Sequence, residues 1–142
     1  MGKETVAPFI LDTNVWVSGL LFRGTPAEFL YMIRSKGLKA LIPKEALKEL
    51  ITVLGYPKLA LHLKHPLPFI LGTLVLPLVE VVSVAPPYPK QPTIGPMDNL
   101  LLASCEQHSC RYLVTGDKGM LNIKSWKNTA VISPAEYLNL LT

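Results

Sequence analysis

Short apolar runs alternate along the chain with longer segments that have helical periodicity. The runs are three to six residues long, and polar or turn-forming residues bound them, which is typical of strands buried in a sheet. These predicted strands cover residues 8–11, 38–42, 79–84, 112–115 and 130–132.

The segments between the apolar runs carry the start and stop signals of helices. Thr25-Pro26-Ala27-Glu28 combines a capping threonine with proline at the first helical position and glutamate at the third. Ser133-Pro134-Ala135-Glu136 repeats that pattern near the C-terminus. The predicted helices cover residues 25–37, 43–55, 97–105 and the residues from 133 onward, with one or two more in residues 56–76.

The alternation of strands and helices predicts an α/β fold. Because helices join the successive strands, we expect a central parallel sheet of about four to five strands with helices on both faces. Five prolines in residues 85–96 indicate a connector without regular structure. A chain of 142 residues without an internal repeat is predicted to form a single domain over residues 1–142.

Composition adds constraints on the class of protein. Hydrophobic residues make up 49% and charged residues 17% of the chain, which indicates a folded protein rather than a disordered one. The net charge of +4 is compatible with a polyanionic partner. The most apolar region, residues 66–84, is interrupted by prolines and a charge, so no membrane span is expected. Cys105 and Cys110 are spaced poorly for a disulfide, which indicates a reduced, cytoplasmic protein.

Two aspartates stand at the ends of predicted strands. Asp12 follows Leu11 directly, and Asp117 follows Thr115 with one glycine between them. In open α/β sheets, ligands collect beyond the carboxyl ends of the strands. A carboxylate there costs desolvation unless a cation compensates, and Mg²⁺ or Mn²⁺ prefers such oxygen ligands. The alternative is that each aspartate only forms a turn or caps a helix.

Two further acids fall in predicted helices. Asp98 opens the helix near Met97, where an acid also complements the helix dipole. Glu49 lies within the helix of residues 43–55, and Glu45 lies one turn earlier on the same side. Periodicity therefore leaves the choice between these two glutamates open.

Four segments around these acids resemble the motifs of PIN domains in their order and spacing. In that family a first strand ends in an acid followed by a small hydroxyl residue, and a helix glutamate precedes an apolar pair. A third acid then opens a helix, and a buried strand delivers a fourth. The matching segments are residues 10–15 (ILDTNV), 48–54 (KELITVL), 98–103 (DNLLLA) and 112–118 (YLVTGDK).

The resemblance implies a metal-dependent endoribonuclease similar to the short bacterial toxins of toxin–antitoxin pairs, the VapC-type toxins. Such a protein would act on RNA, form a homodimer and bind an antitoxin partner. Asn14 would help to orient the site, and Thr115 would form a hydrogen bond near it. The residues that would bind Mg²⁺ or Mn²⁺ are Asp12, Glu49, Asp98 and Asp117.

The sequence departs from the family pattern where relatives often carry additional acids. Gly119 stands two residues after the aspartate of the fourth motif, and Asn99 stands in the third motif. Residues 93–96 replace an aspartate-rich approach to the third motif. The alternative function is therefore a degenerate, non-catalytic PIN module that binds RNA or a protein partner. An aspartate-nucleophile phosphatase is disfavoured, because Asn14 stands where such an enzyme needs a second aspartate.

Other candidate sites have weaker signals. His62 and His65 lie three residues apart without a third ligand nearby, which favours a surface position over a metal site. Lysines around Trp126 have the composition of a strand-binding groove, but a solvated loop with the tryptophan packed into the core is favoured. These lysines are Lys118, Lys124 and Lys127.

Overall fold

The structure, a computed structural model, describes residues 7–142. The first part of the chain forms β1 (Phe9–Leu11), α1 (Thr13–Leu21), α2 (Thr25–Ser35), β2 (Ala40–Pro43) and α3 (Lys44–Leu54). The middle part forms α4 (Pro57–Ala60), α5 (Leu67–Ile70), a π-helical turn (Leu71–Val75), a 3₁₀ turn (Leu76–Leu78) and β3 (Val79–Val82). The last part forms α6 (Pro96–Gln107), β4 (Tyr112–Val114), α7 (Lys118–Leu121), β5 (Ser125–Trp126), β6 (Thr129–Ile132) and α8 (Pro134–Leu141).

The strands form one sheet in the order β3-β2-β1-β4-β6-β5. Neighbouring strands are parallel except for β5 and β6, which are antiparallel. The predicted α/β fold is confirmed, although the sheet has six strands where four to five were expected. The additional strand is β5, whose two residues are too few to show an alternating pattern in the sequence.

The central strand β1 brings the chain to the middle of the core. Its three residues are at most 1% exposed. Because successive side chains of a strand point to opposite faces, burial of all three requires packing layers on both faces of the sheet. Leu11 pairs with Val114 of β4, and the Asp12 N–H donates to the Val114 carbonyl oxygen at 2.8 Å. The carboxyl ends of β1 and β4 therefore lie side by side.

Of the two predicted helix caps, one is confirmed and the other is wrong. Ser133 Oγ accepts a hydrogen bond from the Glu136 N–H at 3.1 Å, and Glu136 Oε1 accepts one from the Ser133 N–H at 3.0 Å. This confirms the C-terminal capping box. The predicted threonine cap of α2 is wrong, because the N-cap is Gly24 and the Thr25 side chain forms no capping bond. The glycine has a φ of 128°, a conformation that a residue with a Cβ rarely adopts.

The segment that forms α1 was not predicted to be a helix or a strand. Its sequence, TNVWVSGLL, is rich in β-branched and aromatic residues, which are weak helix formers in isolation. Three of its residues are buried, and the helix packs against α2 and α3. Tertiary packing therefore stabilises a helix that local propensity does not predict.

The proline-rich connector (residues 85–95) contains no helix or strand, as predicted. Two side chains of α6 nevertheless hold its backbone. Gln107 donates to the Ala85 carbonyl oxygen at 2.6 Å and accepts from the Ala85 N–H at 2.8 Å. Asn99 accepts from the Gln91 N–H at 3.0 Å and donates to the Gln91 carbonyl oxygen at 3.3 Å. The connector is therefore attached to α6 at two places.

Three further expectations concern the cysteines, a membrane span and the number of domains. Cys105 and Cys110 are both free and buried, and their thiols interact with each other although their spacing had indicated a poor arrangement for a disulfide. Within residues 7–142, none of the helices has the length and apolar character needed to cross a lipid bilayer. Residues 1–6 lie outside the described residues, so a single domain over the whole chain stays a prediction.

Candidate metal centre

Asp12 is the most buried of the four predicted metal ligands, with 6% of its surface exposed. It lies between the end of β1 and the start of α1, and its backbone is fixed to β4. Its Oδ2 accepts hydrogen bonds from Thr115 Oγ1 at 2.8 Å and from Asn14 Nδ2 at 3.3 Å. Both bonds go to the same oxygen, which fixes the orientation of the carboxylate. Within the described part of the chain, no side chain donates a hydrogen bond to the other oxygen, Oδ1.

The burial of this carboxyl group raises the pKa of Asp12 to about 6. Repulsion from Asp98 and Asp117 contributes to this rise, whereas the hydrogen bonds from the Thr115 hydroxyl and from the Thr13 N–H act in the opposite direction. A buried acid that is surrounded by other acids is a costly arrangement in the absence of a cation. The local charge therefore favours a positively charged ligand.

Thr115 and Asn14 connect the loop after β1 to the loop after β4. Thr115 Oγ1 donates to Asp12 and accepts from the Asp117 N–H at 3.0 Å. Asn14 Nδ2 donates to Asp12, and its Oδ1 accepts from the Gly116 N–H at 3.2 Å. Thr115 therefore forms the hydrogen bond that was predicted for it, and the orienting role of Asn14 stays a prediction.

Glu49 lies on α3 and reaches the same region through Thr13. Its Oε1 accepts a hydrogen bond from Thr13 Oγ1 at 2.7 Å. Glu45 forms no such bond, and its Oε1 is buried without a hydrogen-bond partner among the described residues. The structure therefore associates Glu49, and not Glu45, with the loop that carries Asp12. Thr13 was noted in the sequence only as the small hydroxyl residue of the first motif, and this bond gives it a positioning role.

Asp98 and Asp117 complete the group of acids from two other elements. Asp98 is half-buried in the first turn of α6, and burial is the main cause that raises its pKa. The negative charges of Asp117 and Glu49 raise it further. Asp117 is exposed, and its Oδ2 accepts a hydrogen bond from the Met120 N–H at 3.0 Å as the N-cap of α7. The capping role that the sequence left open is therefore present at Asp117.

The four acids share one region but do not form a closed set of ligands. Asp98 interacts electrostatically with each of the other three, which places all of them at the carboxyl ends of the central strands. Across residues 7–142, however, no three metal-binding side chains form a group that could hold an ion as they stand. The donor set fits a divalent cation in charge and in chemistry, because Mg²⁺ and Mn²⁺ prefer carboxylate oxygens. Binding an ion would require the carboxylates to move closer together.

Two of the departures from the family pattern, Gly119 and Asn99, have structural consequences. A Cβ added at Gly119 would lie 3.1 Å from Asp117 Oδ2, so a side chain at this position would crowd the carboxylate that caps α7. Asn99 is 8% exposed, and its amide hydrogen-bonds to the connector. The amide nitrogen donates to two carbonyl oxygens, which a carboxylate could not do. Asn99 is therefore a structural residue and not a weakened metal ligand.

The weaker candidates have contacts with aromatic rings or with the core. His62 and His65 are exposed, and their rings pack against Phe22 and Phe69 at centroid distances of 5.1 and 4.8 Å. Trp126 is half-buried and packs against the core, as favoured from the sequence, but it lies in β5 rather than in a loop.

Comparison with known proteins identifies the family. A family model described as "PIN domain" matches residues 8–119. No curated protein and no solved structure matches the chain. The matched region includes all four acids and β1 to β4. PIN domains are generally nucleases, and they usually use divalent metals. Because the match covers well over half of the sequence, the chain belongs to the PIN-domain family.

Proposed function

We propose that this chain is an endoribonuclease that depends on Mg²⁺ or Mn²⁺ and hydrolyses phosphodiester bonds of RNA. Asn14 and Thr115 support the site by orienting one of its carboxylates. The proposed ligands of the ion, which are also the proposed catalytic residues, are Asp12, Glu49, Asp98 and Asp117.

The observation that carries this proposal is the state of Asp12. Its carboxyl group is almost fully buried, its pKa is raised to about 6, and no cation is among the described groups that shift it. A purely structural aspartate at this position would gain from a nearby lysine. Asp12 accepts hydrogen bonds from Thr115 and from the Thr13 N–H, but it faces two further acids and no cation, which is the arrangement expected of a ligand for a divalent ion.

The side chains of the site have distinct roles in this proposal. Thr115 and Asn14 hold Oδ2 of Asp12, so that Oδ1 would be the oxygen available to an ion. Thr13 holds one oxygen of Glu49 in the same way. When bound, a divalent ion supplies the positive charge that lowers the pKa of an attacking water and stabilises the leaving oxygen. A covalent intermediate with the protein is not needed.

The proposal includes the cellular setting that the toxin resemblance implied. We infer a cytoplasmic, single-domain protein over residues 1–142 that forms a homodimer. Its partners would be RNA and an antitoxin protein. The net charge of +4 supports a polyanionic substrate, and the two free, buried cysteines support a reducing compartment.

The test is cleavage of a labelled single-stranded RNA by the metal-free chain, measured before and after MnCl₂ or MgCl₂ is added. Cleavage should appear only with the ion, and Glu49→Gln should reduce it by about 100-fold. Glu45→Gln is the matched control, because it removes the same charge one helical turn away and should retain cleavage. Failure of the wild-type chain to cut RNA with either ion would refute the proposal.

A second candidate function is a non-catalytic PIN module that binds RNA or a protein. It is favoured by one observation, the lack of a closed ligand set among residues 7–142. A binding module should keep or improve its affinity for RNA in Asp12→Asn and Asp117→Asn, because each change removes a charge that repels phosphate. The nuclease should instead lose metal-dependent cleavage in both variants.

A further inference from the structure

Two neighbouring grooves lie between the connector and α6. The first has a volume of about 460 Å³ and lies at the start of α6, where Pro96 and Asn99 flank Asp98 in the sequence. The second has a volume of about 620 Å³ and extends along α6 to Trp126 and Lys127. Both grooves are lined by Pro87, Tyr88 and Pro89, so they are adjacent, and we call the two together the connector groove.

The wall of the connector groove is held in place before any ligand binds. Gln107 and Asn99 fix the backbone of the connector at both ends. The Tyr88 hydroxyl donates to the Val84 carbonyl oxygen at 3.4 Å, which limits the movement of its ring, and 38% of Tyr88 remains exposed. Prolines have little backbone freedom to lose. A ligand would therefore meet a preorganised surface.

The groove combines aromatic rings with cations. Tyr88 and Trp126 are its aromatic residues, and Lys90 and Lys127 are its lysines. Among the described residues that line it, Glu106 is the only acid. A positively charged groove with aromatic rings is the arrangement with which proteins bind single-stranded nucleic acid, because the cations follow the phosphates and the rings stack on bases.

Lys127 has a backbone conformation that lysine rarely adopts. Its φ is 54°, and it lies in the two-residue turn between β5 and β6, where glycine, asparagine and aspartate are preferred. Its Nζ lies 5.4 Å from the centroid of the Trp126 ring.

We propose that the connector groove binds the stretch of single-stranded RNA that continues from the acid site, with a base beside Tyr88 and Trp126 and phosphates beside Lys90 and Lys127. This inference rests on the proposed function, because it assumes that RNA reaches the acids. Asn99, which lines the first groove, directly follows Asp98 in the first turn of α6. The groove therefore begins one residue along the chain from a proposed ligand of the ion.

The charge test compares Lys127→Gly with Lys124→Gly. Both lysines are exposed and have a positive φ, of 54° and 67°, so both changes remove one charge and relieve the same strain. Only Lys127 lines the groove. Affinity for a labelled single-stranded oligouridine is measured by fluorescence anisotropy in EDTA, so that no cleavage occurs. Lys127→Gly should weaken binding and reduce the salt slope by about 0.7, whereas Lys124→Gly should leave the slope unchanged.

The stacking test compares Tyr88→Leu with Tyr88→Phe. Tyr88→Leu should reduce the affinity for oligouridine about 5-fold or more, whereas Tyr88→Phe keeps the ring and should retain it. Affinity for duplex RNA should be the same in both variants, because paired bases cannot stack on a side chain. If Tyr88→Leu does not fold, as judged by thermal unfolding, the comparison of the two lysines decides.

Unchanged single-strand affinity in Lys127→Gly and in Tyr88→Leu would overturn the proposal and leave a protein segment as the ligand of the groove. These readouts do not depend on cleavage. If the wild-type chain cuts RNA but all variants bind RNA equally well, only the proposal about the groove is refuted. A chain that never cuts RNA but loses affinity in Lys127→Gly refutes the nuclease and supports the groove.

Discussion

The ends of β1 and β4 lie side by side in the sheet, and each is followed by an aspartate, yet the two side chains are in different states. Asp12 is 6% exposed, and two neighbouring side chains hold its carboxylate. Asp117 is exposed, and its carboxylate caps a helix. The difference follows from the spacing: Asp12 directly follows β1, whereas Thr115 and Gly116 separate Asp117 from β4 and carry it out to the surface. One acid is therefore fixed at a cost in desolvation, whereas the other has a stable position without an ion.

The largest effect on cleavage is expected when the negative charge of each aspartate is removed in turn. If both aspartates bind the ion, Asp12→Asn and Asp117→Asn should each reduce Mn²⁺-dependent cleavage of RNA by at least about 100-fold. Initial rates over a range of MnCl₂ concentrations measure this loss. Glu28→Gln, an exposed acid on α2, is the control for a nonspecific effect of charge. Full cleavage by Asp117→Asn would limit Asp117 to its capping role.

The second prediction concerns stability without metal. The folded pKa of Asp12 is about 6 and its ordinary value is 3.8, so the folded state binds the proton more tightly than the unfolded state. The charged carboxylate therefore lowers the free energy of unfolding. This destabilisation is fully present above pH 6 and absent below the ordinary pKa. Asp12→Asn removes it and should increase the free energy of unfolding by up to about 3 kcal/mol at pH 7.

Urea unfolding in EDTA at several pH values measures this gain. The gain in Asp12→Asn should shrink towards pH 4. Asp117→Asn is the matched control, since asparagine also caps helices, and it should change stability by less than about 0.5 kcal/mol at either pH. Equal stability changes in the two variants would show that burial does not distinguish the two aspartates.

The third prediction concerns Thr115, the residue that connects the ends of β1 and β4. Its hydroxyl is fully buried, donates to Asp12 and accepts from the Asp117 N–H. Thr115→Val keeps the shape but loses both bonds, so it should cost about 2 kcal/mol of stability and weaken Mn²⁺ binding about 10-fold. Thr115→Ser keeps the hydroxyl and should bind Mn²⁺ as the wild type does. Isothermal titration with MnCl₂ distinguishes these outcomes.

The smallest effect is expected at Gly119, where relatives often have an acid. The added Cβ lies 3.1 Å from Asp117 Oδ2, so Gly119→Asp should disturb the cap of α7 and cost about 1 kcal/mol. Gly119→Ala separates the crowding by the Cβ from the added charge. Tighter Mn²⁺ binding in Gly119→Asp than in Gly119→Ala, with equal stability, would mean that the end of β4 can adapt to a second acid.

The sequence predicted the parts of the fold that have strong local signals. Five strands and the capping box at Ser133 follow from apolar runs and from the chemistry of helix ends. α1 was not predictable in this way, because its β-branched residues favour strands and its helix depends on packing. The cap of α2 was misplaced because Gly24 gives no side-chain signal, although its positive φ favours glycine.

The candidate site was predictable in its acids but not in their environment. Periodicity could not separate Glu49 from Glu45, and the hydrogen bond from Thr13 does so. The sequence presented Asn99 as a missing acid, whereas its contacts with the connector depend on a chain segment eight residues away. Burial and hydrogen bonding are set by the tertiary structure, so no pattern of spacing could reveal them.

The attachment of the connector to α6 has a consequence for local opening. A proline-rich segment without helix or strand would ordinarily exchange its amide hydrogens with solvent rapidly. The N–H groups of Ala85 and Gln91 instead donate to side chains of the longest helix in the described chain. These two amides should therefore exchange as slowly as the unit that contains α6, and they would report when the helix and the segment separate.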